Sequence, residues 1–363
     1  FIAHYALPFW PLLLGAGILS TIIALLEIYL FSFVGDLVDW ITHSSVQSFW
    51  SDRWPEFSVF LVIVLVVLPG LRLLFEAAVN QGMLGNFAMR TRWQAHRYLL
   101  RQSVEFFQND FAGRVAAKMM QTSLGVRDTV VKLIEVMLYV AVYFVGALLL
   151  FAESDWRLTV PMVIWLGGYV LVLRYYVPKL MKVSMDQAEA RSMVTGRVVD
   201  SYTNITTVKM FAHAGYEDEY AREGMEIFLE PVYRQMRLSS NLTLIIHALN
   251  ALLLVSVATT SILLWQNNLI TAGAIAFSLG LVLRMQGMSQ WIMWEIWSLF
   301  ENIGVVLDGI ETISNDISIS DRDEKKLEVT AGRIEYRNIH FNYGKTDGDR
   351  GVIDNLNLTV EGG

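Results

Sequence analysis

Glu27, Arg72, Glu76, Arg174 and Arg284 are ionisable side chains set inside long apolar runs. Taking a charge out of water costs several kcal/mol, so an ionisable group in such a place is expected either to have a partner or to line a path for something polar. Arg72 and Glu76 lie four apart, the spacing of neighbours on one helix face, which predicts a local ion pair. Arg174 has a stem long enough to carry its head to an interface. Glu27 and Arg284 are flanked by apolar sequence only. Arg284, Met288, Trp291 and Glu295 follow one another at spacings of four, three and four and so share one helical stripe. With Glu27 they make the candidate wall of a substrate cavity. Guanidinium, carboxylate, indole and thioether together suit an amphipathic substrate: a lipid, a drug or a peptide. Trp294 and Trp297 serve equally well as anchors at a membrane interface.

Other reactive chemistry is sparse. The chain has no Cys, hence no disulfide framework, thiol nucleophile or Cys-based metal site, and its six His never fall four apart. No metal site, no catalytic residue and no nucleic-acid partner is expected. Of 363 residues 54% are hydrophobic and 17% charged, where soluble domains carry about 25% charged. The net charge of -7 matters less than its placement, because the charges cluster between apolar blocks.

Those blocks have the length of membrane spans. Crossing a hydrocarbon core of about 30 Å takes about 20 mostly apolar residues in a helix, whose backbone groups bond within the segment. Six stretches qualify, approximately Leu12–Val34, Phe57–Val79, Val131–Phe151, Leu158–Val177, Leu242–Trp265 and Leu269–Met293. Phe1–Trp10, apolar, aromatic and holding Pro8, lacks the basic start and cleavage site of a signal peptide; it reads as a retained, short interfacial helix. Pro69-Gly70, Pro161 and Pro178 are candidate hinges or static kinks.

The connections alternate short, long, short, long, short. The first long arm, between Gln81 and Lys132, carries Arg90, Arg92, Arg97, Arg101, Arg114, Lys118, Arg127 and Lys132, whereas the loop from Trp40 to Glu56 holds only Arg53. The positive-inside rule therefore places both arms and both termini in the cytoplasm. Both arms are poor in Pro and Gly and should stay helical. Each is interrupted at its midpoint by polar, turn-prone residues beside aromatics: Glu105–Gly113 in the first, with Glu105, Phe106, Phe107, Asn109 and Asp110, and Ser201–Phe211 in the second, with Asn204, Ile205, Thr207, Val208, Lys209 and Phe211. Such a tip is either a turn whose aromatics pack back on its own hairpin or a docking knob for another domain.

After residue 313 the composition changes. Residues 314–331 read as a polar linker and 332–363 as the start of a new domain, with strands over Arg333–Phe341 and Val352–Val360 around a Gly-rich turn. Two strands do not make a stable domain, so they are expected to belong to a larger one.

Six spans, long second and fourth loops and this strand pair resemble the exporter-type ATP-binding cassette (ABC) transporters. Phe341-Asn342-Tyr343-Gly344 is similar to the aromatic element that opens the family's α/β ATPase domain, and Val352–Leu358 to its second strand; the two tips are similar to its coupling elements. The resemblance implies an all-α membrane fold of six helices with long cytoplasmic extensions, followed by the first strands of the ATPase domain. It implies that Tyr343 stacks on adenine, that ATP and Mg²⁺ are used by the intact protein, and that the chain works as a homodimer or with a homologous half-transporter in the bacterial inner membrane. No Gly-x-x-x-x-Gly-Lys-[Ser/Thr] loop occurs in these residues, so this segment alone is expected not to hydrolyse ATP. An ion-coupled secondary transporter and a non-transporting membrane receptor or scaffold are the rival readings. The first accounts for buried charge but not for the arms or the strands, and the second needs no nucleotide.

Overall fold

The structure is a computed structural model that describes residues 1–43, 49–109, 112–211, 214–317, 329, 332–341 and 352–362. It divides into two units, Phe1–Asp316 and Ile317–Gly363.

The first unit is helical. It begins with α1 (Ile2–Ala6), which runs through a 3-10 turn at Leu7–Phe9 into α2 (Trp10–His43). Pro8 lacks the N–H that would continue the α ladder, which accounts for the tightened turn. This opening segment buries Tyr5 and Phe9 with Phe87, Val126, Val130 and Val306, and is thereby fastened to the arm helices. The next rod is built from α3 (Phe49–Val62), α4 (Leu68–Glu76) and α5 (Gly85–Leu99), joined by π-helical turns at Ile63–Val67 and Ala77–Leu84. Pro69 stands just after the first of these turns; a widened turn moves aside the carbonyl that its ring would strike.

The first tip is α6 (Val104–Asn109), and the chain returns through α7 (Ala112–Lys132), a π turn at Leu133–Leu138 and α8 (Tyr139–Ser154). Asp155 then caps α9 (Trp156–Thr203), its carboxylate accepting from the Arg157 N–H at 2.8 Å. The second tip is α10 (Ile205–Met210), followed by α11 (Ala214–Gln266) and α12 (Ala272–Ile313). At 48 and 53 residues, α9 and α11 are each about 70–80 Å long, more than twice a hydrocarbon core. The second arm therefore continues membrane helices, and the unbroken helical stretches Asp52–Leu99 and Val115–Ser154 do the same for the first, as their composition predicts. They are tied laterally by polar contacts: Arg197 donates to the Tyr220 carbonyl at 2.6 Å and to Glu223 at 3.1 Å, and Lys118 reaches Asp308 at 2.9 Å.

Five helices among the described residues are long and apolar enough to cross a membrane: Ile2–His43, Asp52–Leu99, Val115–Ser154, Trp156–Thr203 and Gly215–Gln266. The sixth expected span falls on α12, whose apolar run is broken by Arg284, Gln286 and Gln290. It also starts later than the hydropathy suggests. Leu269 and Ile270 belong to a turn in which Asn268 takes φ 55°, and the Thr271 hydroxyl accepts from the Ala274 N–H at 3.1 Å.

The spans share a core of Ile23, Tyr143, Phe151, Leu158, Met162 and Leu281, among others. Where α2 crosses α12 the packing is backbone on backbone. A Cβ on Gly273 would overlap the Gly35 carbonyl and the Asp39 carboxylate, and that carboxylate accepts from the Gly273 N–H at 2.7 Å.

In the second unit β1 (Ile334–Phe341) pairs antiparallel with β2 (Ile353–Val360). The apolar alternation slips once in each strand, at Asn338 and at Asn355, and these are the residues with φ of 50° and 53°. The extra residue of each bulge returns the apolar side chains to one register, Tyr336 opposite Leu358 and Ile339 opposite Leu356.

Candidate functional site

Three of the five ionisable residues of the spans, Glu27, Arg72 and Arg284, meet at one point, whereas Arg174 is exposed and takes no part. Glu27 of α2 takes the Arg72 guanidinium of α4 on Oε1 at 2.6 Å and the Arg284 guanidinium of α12 on Oε2 at 2.9 Å. Tyr139 of α8 also donates to Oε2 at 2.6 Å, and Arg284 lies 3.3 Å from the Tyr139 hydroxyl. Three donors thus converge on a carboxylate only 16% exposed, while the two guanidiniums remain 48% and 44% exposed. The expected local pair of Arg72 with Glu76 is not formed. Arg72 turns to Glu27, a carboxylate that also binds Arg284, and Glu76 accepts from Asn80 instead. Spacing on one helix identified a possible partner; the fold supplied a better-connected one.

Beside this junction lies a cavity of about 280 Å³. Arg284, Met288 and Trp291 line it from α12, Arg72 and Phe75 from α4, Glu135 and Tyr139 from the α7–α8 rod, and Ser20 and Ile23 from α2. The α12 stripe thus forms one wall as its spacing predicts, with two qualifications. Glu27 sits behind the guanidiniums, and Glu295 pairs with Lys132. Sequence reasoning missed Glu135 and Tyr139; the one signal for Tyr139 is a hydroxyl in an apolar span, which needs a partner.

The back of α12 is held by a second polar cluster that sequence reasoning also missed. Asn250 of α11 accepts from the Trp165 indole N–H at 3.1 Å and donates to the Ser289 hydroxyl at 2.8 Å. Gln286 donates to the Asn250 carbonyl at 2.7 Å, and the Tyr169 hydroxyl donates to the Ser289 carbonyl at 2.6 Å. Trp165, Tyr169, Asn250 and Ser289 are buried and Gln286 is half-buried, and they satisfy one another across α9, α11 and α12.

The tips differ from each other. Phe106 packs against the cluster of Ala95, Leu99, Val115, Met119 and Ile313, with the Phe107 ring edge-on at 5.1 Å and facing outward. Glu105 is exposed. In the second tip the aromatics do not fold back: Phe211 is 64% exposed, with Ile205, Met210 and Tyr202 also on the surface. Asn204 ends α9, its amide donating to the Asp200 carbonyl, and Thr207 accepts the Phe211 N–H at 3.0 Å. Val208 and Lys209 complete the short helix. Asp110 and Tyr343 lie outside the described residues.

Residues 12–287 match the family model of the ABC transporter transmembrane region. The chain belongs to the ABC transporter family. A Haemophilus influenzae protein described as an uncharacterized ABC transporter ATP-binding protein is 40% identical over 356 residues, covering 98% of this chain and 57% of its own length. Among solved structures, a bacterial Atm1-family ABC exporter with ATP bound superimposes with a TM-score of 0.71 at 15% identity, over 95% of this chain and 61% of that one. That second likeness is one of fold, and the fold is that of an ABC exporter. This ABC transporter chain is an integral, multi-pass membrane protein, and it spans about three fifths of the length of these relatives.

Proposed function

We propose that the chain is the membrane half of an ATP-driven exporter that moves an amphipathic substrate, a lipid, drug or peptide, out of the cytoplasm or inner leaflet by alternating access as a dimer. The single observation that carries this reading is the match of residues 12–287 to the ABC transmembrane region. The exporter fold and the exposed second tip support it. In this reading α12 is the sixth span, the arms and both termini are cytoplasmic, and the membrane is the bacterial inner membrane. The tips dock the ATPase domain that β1 and β2 begin, with Glu105, Phe107, Asn109 and Asp110 in the first and Ile205, Val208, Lys209 and Phe211 in the second. Tyr343 stacks on adenine, and ATP with Mg²⁺ is held by residues downstream of this segment, which alone is inactive. The cavity at Arg284, Met288 and Trp291, backed by Glu27 and with Glu295 beyond it on the same stripe, receives the substrate.

The test is ATP-dependent uptake of a fluorescent amphiphile into inside-out vesicles carrying the full-length protein. Uptake that needs ATP and survives collapse of the ion gradients is expected; uptake that follows the gradients and ignores ATP would reverse the assignment in favour of a secondary transporter. Tyr343→Ala is expected to weaken apparent ATP affinity in the same vesicles.

A further inference from the structure

The cavity is electrically uneven along its length. At one end Arg72 and Arg284 share the single carboxylate of Glu27, which leaves that end with one positive charge in excess. One helical turn from Tyr139, Glu135 also lines the cavity, and among the described residues no hydrogen bond or ion pair holds its carboxylate. The nearby ammonium of Lys132 is taken by Glu295. Much of the remaining lining is apolar and aromatic: Ile23, Phe75, Met288 and Trp291. Glu135 lies on the π turn at Leu133–Leu138, four residues before Tyr139, whose hydroxyl is 3.3 Å from Arg284. Unlike charges are thus presented about one turn apart in a space of about 280 Å³, which is the size of a small organic molecule.

We propose that this cavity takes a zwitterion, its carboxylate or phosphate received by Arg72 and Arg284 and its ammonium by Glu135, with an apolar body against Phe75 and Trp291. The inference rests on the reading of the cavity as the substrate site and names the class of substrate. A dipeptide suits the spacing, since two extended residues reach about 7 Å. A zwitterionic phospholipid headgroup carries the same two charges. A purely anionic ligand would meet Glu135 and a purely cationic one the guanidiniums, so each would leave one end of the cavity opposed.

Gly287 lines the cavity, and a side chain built there meets open space. No cysteine occurs in the 363 residues, so Gly287→Cys gives this chain a single thiol. The full-length protein bearing it, with any cysteine outside these residues replaced by serine, is placed in nanodiscs of phosphatidylglycerol, and labelling by N-ethylmaleimide is timed with leucyl-phenylalanine, its N-acetyl form, its methyl ester, or the doubly capped peptide. The free dipeptide is expected to slow labelling about tenfold more than either singly capped form, the discrimination of one charged contact. Arg284→Gln should bring the free dipeptide to the level of the methyl ester, and Glu135→Gln to the level of the acetylated form. If Arg284→Gln does not fold, Arg72→Gln makes the same test. A second arm adds phosphatidylethanolamine to the nanodiscs; protection there alone supports the charge pattern and assigns it to a lipid headgroup. Equal protection by the doubly capped peptide, or by one singly capped form, overturns the zwitterion while leaving the cavity as a site. Protection by none of the peptides or lipids overturns both. A preserved capping pattern in a protein that fails the vesicle assay overturns export alone.

Discussion

Arg284 of α12 and Glu27 of α2, 257 positions apart in the chain, close an ion pair at 2.9 Å beside the cavity. The same carboxylate holds Arg72, so its removal strands two guanidiniums at once. Both are about half exposed and can take up water, which keeps the loss well below that of a fully buried pair. Glu27→Gln is expected to cost about 1–2 kcal/mol, and Glu27→Ala more, read as a fall in unfolding midpoint in lipid nanodiscs. An unchanged midpoint for both would mean that the junction contributes nothing to the fold.

A methyl group separates two kinds of glycine. Gly273→Ala has to push apart α2 and α12, because its new carbon meets the Gly35 carbonyl; a cost of about 1–3 kcal/mol is expected. Gly167→Ala, in α9, meets nothing and should be neutral or stabilising by up to about 1 kcal/mol through helix propensity. Equal midpoints for the two variants would refute the close crossing.

The tips should respond oppositely to truncation. Phe106→Ala removes a ring from the cluster under the first tip and is expected to lower stability by about 2 kcal/mol or more. Phe211→Ala removes an exposed ring, so stability should hold within about 0.5 kcal/mol while substrate-stimulated ATPase of the intact protein falls severalfold. The reverse order, a stable Phe106→Ala and an unfolded Phe211→Ala, would exchange their roles.

Much of this architecture is legible from hydropathy and composition, because a span is defined by length and apolarity and an arm by the absence of breakers. The α12 stripe was legible too, since helical spacing alone puts Arg284, Met288 and Trp291 on one face. What spacing does not encode is which carboxylate a guanidinium chooses. Arg72 has Glu76 one turn away and binds Glu27, because that partner comes from another helix and brings Tyr139 and Arg284 with it. The apolar run of α12 is broken for a related reason: Gln286 and Gln290 are polar to satisfy neighbouring helices, Gln286 at the Asn250 carbonyl and Gln290 at His247. The second strand residue of interest, Asn355, shows the same limit, since only the structure reveals that its positive φ repairs the alternation.

Asn250→Leu keeps the volume and deletes the two side-chain bonds that Asn250 makes at the back of α12. It leaves the Trp165 N–H unpaired in a buried place, while the Ser289 hydroxyl keeps its bond to the Gln286 carbonyl, at a cost of about 1–3 kcal/mol. Thermal inactivation in nanodiscs should show it. Combining the change with Trp165→Phe, which removes the stranded donor, should recover part of the loss; no recovery would show that Trp165 and Asn250 do not act together.

The two faces of α12 have a joint consequence. The helix is keyed like a shaft in a slot: its rear is registered by Asn250 and Tyr169, and its front shows Arg284, Met288 and Trp291 to the cavity. Turning it by one side chain would present a different wall only by breaking every bond behind it. Diversification of what this transporter accepts is therefore expected to run through side-chain exchange at 284, 288 and 291, with the rear residues held constant.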